Sequence, residues 1–201
     1  MTQTASFSFE PVVKTVSQGD VVAVDVMMYS GDTPVISSDV WISYNPEVLT
    51  IQNPQKVDIE KGPLFENVNA RTIAPGSLYL YGIQNSKTST TPANGKIATV
   101  YFTAQKSGQA LLRFECVPFS KQTSQIIESN SELTNIIHCE STRSHTSTIT
   151  VTSDSNVLGA STRNAGISTT SILVVGGLLA ILIGLFVYRY RKLARELDIK
   201  P

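Results

Sequence analysis

Residues 39–51 read DVWISYNPEVLTI, and the fold turns on how that stretch is parsed. Val40, Ile42 and Tyr44 alternate with Trp41 and Ser43, the period of two of a strand with one buried face. Asn45-Pro46 then stops the strand, because an Asn-Pro pair initiates turns and proline has no amide hydrogen to give a ladder. A second apolar run begins at Val48 and ends at Ile51. The reading is strand, corner, strand.

Working outward towards the N-terminus, residues 21–29 read VVAVDVMMY, with Val22, Val24, Val26 and Met28 on one face and Ala23, Asp25 and Met27 on the other. That is a sandwich strand with one solvated side. Before it, Phe7, Phe9, Val12 and Val13 suggest a first strand interrupted at Pro11, a residue that belongs at an edge or bulge. Towards the C-terminus, residues 52–69 contain Pro54, Gly62 and Pro63 and read as mostly irregular, with a short strand near 57–59. Pro75-Gly76 is a turn, and SLYLYGI sets Leu78 and Leu80 against Tyr79 and Tyr81.

A polar loop at 85–95 leads into GKIATVYFTAQ, where Ala98, Val100 and Phe102 share one face and Thr99, Tyr101 and Thr103 the other. Ser107-Gly108 turns the chain into ALLRFECV. A connection this short cannot make a parallel crossover, so these two strands are expected to pair as an antiparallel hairpin. Residues 126–139 hold a further strand or a short helix, and 145–152 give the last strand. The count is eight or nine strands in two packed sheets, an all-β domain.

The chain has 201 residues, room for one ordinary domain and a remainder. Its 16 basic and 16 acidic residues cancel, which does not favour nucleic acid, whose phosphates reward a basic surface. The first six residues have neither a basic start nor an apolar run and do not read as a secretory signal. Residues 153–171 are rich in Ser, Thr, Asn and Gly and read as a flexible linker. Then ILVVGGLLAILIGLFVY, residues 172–188, follows with no charged residue between Arg163 and Arg189. A run of ~17 to 20 apolar residues covers a hydrocarbon core ~30 Å thick. Arg189, Arg191, Lys192 and Arg195 come next, with Tyr188 and Tyr190 at the interface. By the positive-inside rule the C-terminus is cytoplasmic and the sandwich extracellular. The expected organisation is a sandwich at 1–152, the linker at 153–171, one transmembrane helix at 172–190 and a basic tail at 191–201. No Leu-Pro-x-Thr-Gly motif occurs near 161–166, so the helix is expected to stay as the anchor in the cell membrane.

In an exported domain, Cys116 and Cys139 leave two readings open, a disulfide or two buried free thiols. A zinc site is not expected: His138 and His145 are the only imidazoles, and the adjacent His138 and Cys139 would project to opposite faces of a strand. Nor is an enzyme. There is no nucleophile elbow, phosphate loop or zincin pattern. The carboxylates Asp58, Glu60 and Glu66 would serve glycoside hydrolysis only as a pair about 5 to 10 Å apart in a cleft, and they read as solvated surface charges. No cofactor is implied.

Three motifs in order carry a family resemblance: Gly19-Asp20 followed by alternating valines, Ile42-Ser-Tyr44-Asn45-Pro46-Glu-Val-Leu49, and Gly95-Lys-Ile-Ala98-Thr-Val-Tyr-Phe102. Over roughly residues 5–152 the chain resembles the cohesin domain of cellulosome scaffoldins, within the superfamily that includes carbohydrate-binding modules. Asn45 stands where that family usually has Asp. The resemblance implies a nine-stranded jelly-roll β-sandwich and a non-catalytic role, holding a dockerin-like protein module or a polysaccharide. It also implies that the strands bearing Trp41, Tyr79/Tyr81 and Tyr101 are neighbours in one sheet, the sheet that carries the partner face.

If Val40, Ile42, Val100 and Phe102 point inward, Trp41 and Tyr101 point outward, and the same holds for Tyr79 and Tyr81. Four large aromatics would then share one ligand-binding surface, Trp41 and Tyr101 at its core and Tyr79 and Tyr81 at its rim. The alternatives are that a loop covers the rings or that they only strengthen cross-strand pairing. At the level of the whole protein, the alternative to a binding module is a structural surface-layer or adhesion component without a discrete ligand.

Overall fold

The structure is a computed structural model, and it describes residues 4–51, 57–85, 91–118, 120 and 122–153. The linker from residue 154, the apolar span and the basic tail lie outside the described residues. Among the described residues, no helix is long and apolar enough to cross a membrane.

The chain opens with β1 (Ser6–Glu10), β2 (Val13–Ser17), β3 (Val21–Tyr29) and β4 (Val35–Ser43). Five strands follow: β5 (Leu49–Thr50), β6 (Ile59–Lys61), β7 (Asn67–Ala74), β8 (Ser77–Ile83) and β9 (Gly95–Ala104). The described part closes with β10 (Gly108–Phe114), β11 (Gln125–Glu128), the short helix α1 (Cys139–Ser144) and β12 (Ser147–Thr152). One sheet has the order β1-β3-β9-β5, with β6 also on β9; the other runs β2-β12-β10-β4-β8-β7, with β11 on β4. All pairs are antiparallel except β2 with β12.

The core lies between the sheets and follows the alternation. Val22, Val24, Val26 and Met28 of β3, with Val100 and Phe102 of the adjacent β9, face Val40 and Ile42 of β4 and Leu78 and Leu80 of β8 across the interior, all buried. Burying side chains of this size stabilises by roughly 1.5–3 kcal/mol each before entropy is counted.

The corner after β4 behaves as its residues demand. Asn45 Oδ1 accepts from the Glu47 amide at 3.0 Å, its carbonyl accepts from Leu49 at 3.0 Å, and Tyr44 donates to Gly76 O at 2.9 Å. The chain thereby leaves the seven-stranded sheet and enters the five-stranded one as β5. Gly76, at φ +79°, is required here: a Cβ would lie 2.6 Å from Tyr44 O.

Three expectations need correction. Among the described residues the sandwich has twelve strands rather than nine, because Pro11 divides the first strand between the two sheets and β5, β6 and β11 are short additions. One full strand, β7, falls where the sequence reads partly as irregular. Second, β9 and β10 do not form a hairpin; they sit in opposite sheets. A short link excludes parallel pairing but does not compel pairing. Residues 105–107 give four Cα steps, about 15 Å, which exceeds the ~10 Å between packed sheets. Third, the same topology separates Tyr101 on β9 from Trp41 and Tyr79.

Cys116 and Cys139 are joined, with Cα atoms 5.3 Å apart, tying the segment after β10 to the start of α1. The helix is fastened to β1: the Phe7 amide donates to Thr142 Oγ1 at 3.4 Å and the His138 amide to Ala5 O at 2.8 Å. Both imidazoles are engaged locally. His138 Nδ1 accepts from the Ser141 amide as the N-cap, and His145 Nδ1 lies 2.9 Å from Phe7 O.

Candidate protein-binding face

The outer face of the seven-stranded sheet can be built from its registers. Arg71 of β7 is opposite Tyr79 of β8, and Tyr79 is opposite Trp41 of β4. The Glu115 amide donates to Trp41 O at 2.8 Å, so Glu115 ends the same row. The next row reads Asn69, Tyr81, Asp39 and Gln125. Residues two apart along a strand share a face, so both rows point away from the core.

The rings are half-buried and touch one another. Trp41 and Tyr79 have centroids 4.9 Å apart at 42°, and Tyr79 and Tyr81 are 5.8 Å apart at 29°. The Arg71 guanidinium carbon lies 5.3 Å from the Tyr79 centroid, a cation–π contact. The Tyr79 hydroxyl donates to the Asp39 carboxylate. Burial, and then this hydrogen bond to Asp39, push the phenol well above its ordinary range. Tyr79 therefore stays a neutral donor at any physiological pH.

Trp41 is held from behind. Its amide donates to Ser124 Oγ at 3.0 Å, and Ser124 is fully buried. The loop through Ser124 and the disulfide-linked segment thus fixes the strand from which the indole projects. Beside the rings, a shallow groove of about 480 Å³ opens between Asn69, Ala70, Arg71, Tyr79 and Tyr81.

The expected four-ring surface is therefore a three-ring surface. Trp41, Tyr79 and Tyr81 are together, with Tyr79 at the centre; Tyr101 projects from the outer face of the other sheet. There its hydroxyl donates to Glu60 Oε2 at 2.9 Å, and that carboxylate pushes the phenol above its ordinary value. Its neighbours are a polar set in which Thr99 donates to Asp25 and Lys96 lies 3.6 Å from the same carboxylate. The sequence reading also missed Arg71, Asn69, Asp39 and Glu115. The alternation of Asn67, Asn69 and Arg71 against Val68, Ala70 and Thr72 was the available signal for the first two.

The three carboxylates considered for catalysis are exposed, and two of them accept hydrogen bonds from the protein. Glu60 accepts from Tyr101, Glu66 accepts from the Asn85 amide at 3.1 Å, and Asp58 is exposed. Among the described residues, no group of three His, Cys, Asp or Glu side chains could hold a metal ion.

Comparison with known proteins agrees with this architecture. No curated protein matches the chain. Among solved structures, the sixth cohesin of scaffoldin B from Acetivibrio cellulolyticus, in complex with a Cel5 dockerin mutant, is 12% identical, covering 75% of this chain and 100% of that one, with a TM-score of 0.56. The OlpA cohesin of Clostridium thermocellum, in complex with a dockerin, gives 12%, the same coverage and 0.56. The cohesin module of a family 33 glycoside hydrolase from Clostridium perfringens gives 13% identity, 75% and 98% coverage and a TM-score of 0.54. At these identities the likeness is one of fold. The cohesin domain family pattern matches residues 10–137, spanning the strand-corner-strand stretch, the aromatic face and the segment up to α1. The chain belongs to the cohesin domain family.

Proposed function

We propose that this protein is a non-catalytic docking module that holds a dockerin-like protein partner on the outer face of β7, β8, β4 and the end of β10. The observation that carries the reading is the contact geometry of Trp41, Tyr79 and Tyr81. Rings that stack on sugars lie open, each with a free face. Here Tyr79 is covered by Trp41, Tyr81 and Arg71, so the cluster presents one continuous, partly apolar surface instead of separate platforms. Such a surface, with aromatic anchors ringed by polar groups, suits a protein interface core. The complexes of related cohesins with dockerins support the same partner class. Tyr101, on the other sheet, has no part in this face.

Display at the cell surface belongs to the same reading. The apolar run 172–188 and the basic cluster after it support a membrane anchor with the cohesin domain outside and the tail inside.

The test uses the full chain in detergent, with Trp41 as its single tryptophan. Titration with a set of dockerin modules should give a saturable shift of indole emission that Trp41→Ala and Tyr79→Ala weaken at least tenfold in affinity, read by calorimetry. A response to polysaccharides alone would reassign the ligand. Self-association with no response to either would favour the structural surface-component reading.

A further inference from the structure

The geometry points to a specificity pocket on this face: the groove between β7 and β8 takes a carboxylate side chain of the protein partner, with Arg71 as its receptor. The inference rests on the reading of the face as the partner surface and adds the chemistry of one contact.

An exposed arginine on an edge strand ordinarily has many rotamers, but this guanidinium packs against Tyr79, whose ring is itself fixed by Trp41, Tyr81 and the hydrogen bond to Asp39. A guanidinium held over a ring face spends none of its N–H groups as hydrogen bonds to another residue in that contact. Its fork then needs little further ordering to meet a carboxylate. Among the described residues Arg71 is in no ion pair, the two ion pairs there being Lys96–Asp25 and Lys106–Glu47.

The rest of the groove agrees in sign. Asn69 brings an amide, and Tyr81 brings a hydroxyl with no hydrogen-bond partner among the described residues. Both can donate. The nearest acidic side chain of the next row, Asp39, is turned to the Tyr79 hydroxyl and already accepts a hydrogen bond. The groove thus offers a cation held over a ring and two neutral donors, and no lining residue is acidic. A volume of about 480 Å³ admits an Asp or Glu side chain while the partner's apolar residues lie over Trp41. A lysine or arginine there would face Arg71 and lose affinity, so the groove selects against basic partners as well as for acidic ones.

The experiment is a selection with a defined probe: a phage-displayed library of dockerin modules randomised at exposed helix positions, panned on the full chain in detergent and counter-panned on Arg71→Glu. Clones selected on the parent chain should share an Asp or Glu at a recurring position and weaken about tenfold on Arg71→Ala, the scale of a hydrogen bond to a charged group. Panning on Arg71→Glu should return Lys or Arg at that position. Arg71→Lys should recover only part of the affinity, since a point charge lacks the fork. Clones that lose binding with Trp41→Ala but not with Arg71→Ala or Arg71→Glu would overturn this pocket and leave the docking face standing. Clones indifferent to Trp41→Ala, or no enriched clones at all, would overturn both. Circular dichroism of each variant separates loss of binding from loss of fold.

Discussion

Replacing Cys116 and Cys139 together by alanine removes the covalent link between the end of β10 and the start of α1. The magnitude follows from the loop it closes, a separation of 23 residues. In the chain-entropy treatment, a cross-link lowers the entropy of the unfolded chain by about 2.1 + 1.5R ln n cal/mol/K, roughly 11 cal/mol/K for this loop, or about 3.4 kcal/mol at 25 °C. A urea m-value of about 2 kcal/mol/M converts that into a midpoint lower by roughly 1.7 M. Alanine is the right replacement, because Cys116 is fully buried and serine would add an unpartnered hydroxyl worth about 1–3 kcal/mol.

The assay is urea unfolding followed by far-UV circular dichroism, with the parent chain oxidised, the parent chain reduced by dithiothreitol, and the double alanine variant side by side. Reduced parent and variant should coincide, both well below the oxidised chain. Hydrogen exchange should show the Thr142 amide, bonded to His138 O, opening before the β3 and β9 ladder. The reason is that α1 has six residues, too few to be stable on its own, and is held by the bridge and a few bonds to β1. Oxidised and reduced chains melting at the same urea concentration would refute the reasoning, for it would mean that the unfolded chain loses nothing to the cross-link.

Three further outcomes are expected. Gly62→Ala and Gly82→Ala should both lower the thermal midpoint, Gly62→Ala more: the first Cβ would lie 2.1 Å from Lys96 O, part of the backbone, and the second 2.3 Å from the ring of the buried Phe65. Overpacking of the second kind costs about 1–3 kcal/mol. His138→Ala removes the α1 N-cap and should cost about 1 kcal/mol, seen as a small fall in urea midpoint with the m-value unchanged. The Tyr79 phenol titrates higher folded than unfolded, so its contribution is intact below pH 10 and declines as pH rises beyond it. Stability curves of the parent and Tyr79→Phe should therefore run parallel to pH 10 and then converge, the parent falling faster; parallel curves up to pH 12 would remove Tyr79 from the alkaline transition.

Much of the sandwich was legible because alternation is a direct image of burial. β3, β4, β8 and β9 each alternate mostly apolar inward residues with more exposed outward ones, and each reads with its correct face. The failures share one cause. Alternation separates inside from outside, but a sandwich has two outsides, and no residue of β9 declares which sheet it joins. The hairpin of β9 with β10 rests on the short link alone and the placing of Tyr101 beside Trp41 on the family resemblance; the register of β3 with β9, Val24 opposite Val100, overrules both. Cross-sheet packing decided the matter through contacts far apart in sequence. β7 was hidden for another reason: as an edge strand its inward side chains are Val68, Ala70 and Thr72, only half-buried, so it lacks the apolar amplitude that marks a central strand.

The departure at Asn45 shows what kind of information the family motifs carry. The corner needs an oxygen acceptor for the Glu47 amide, and Asn45 Oδ1 supplies it as an Asp carboxylate would. The Gly19-Asp20 opener is similar: Asp20 Oδ2 accepts from Ser17 N at 2.9 Å, and its backbone carbonyl accepts from the Ala104 amide at 2.9 Å, closing the turn onto the end of β9. Most motif residues turn the chain or fill the core, and Lys96 and Tyr101 point outward from the other sheet. Of the motif residues only Ser43 shares the outer face where Arg71, Tyr79, Tyr81 and Trp41 meet. Twelve per cent identity can therefore preserve the sandwich while leaving most side chains of the outer face free to differ, and a proposed partner must be read from the face itself.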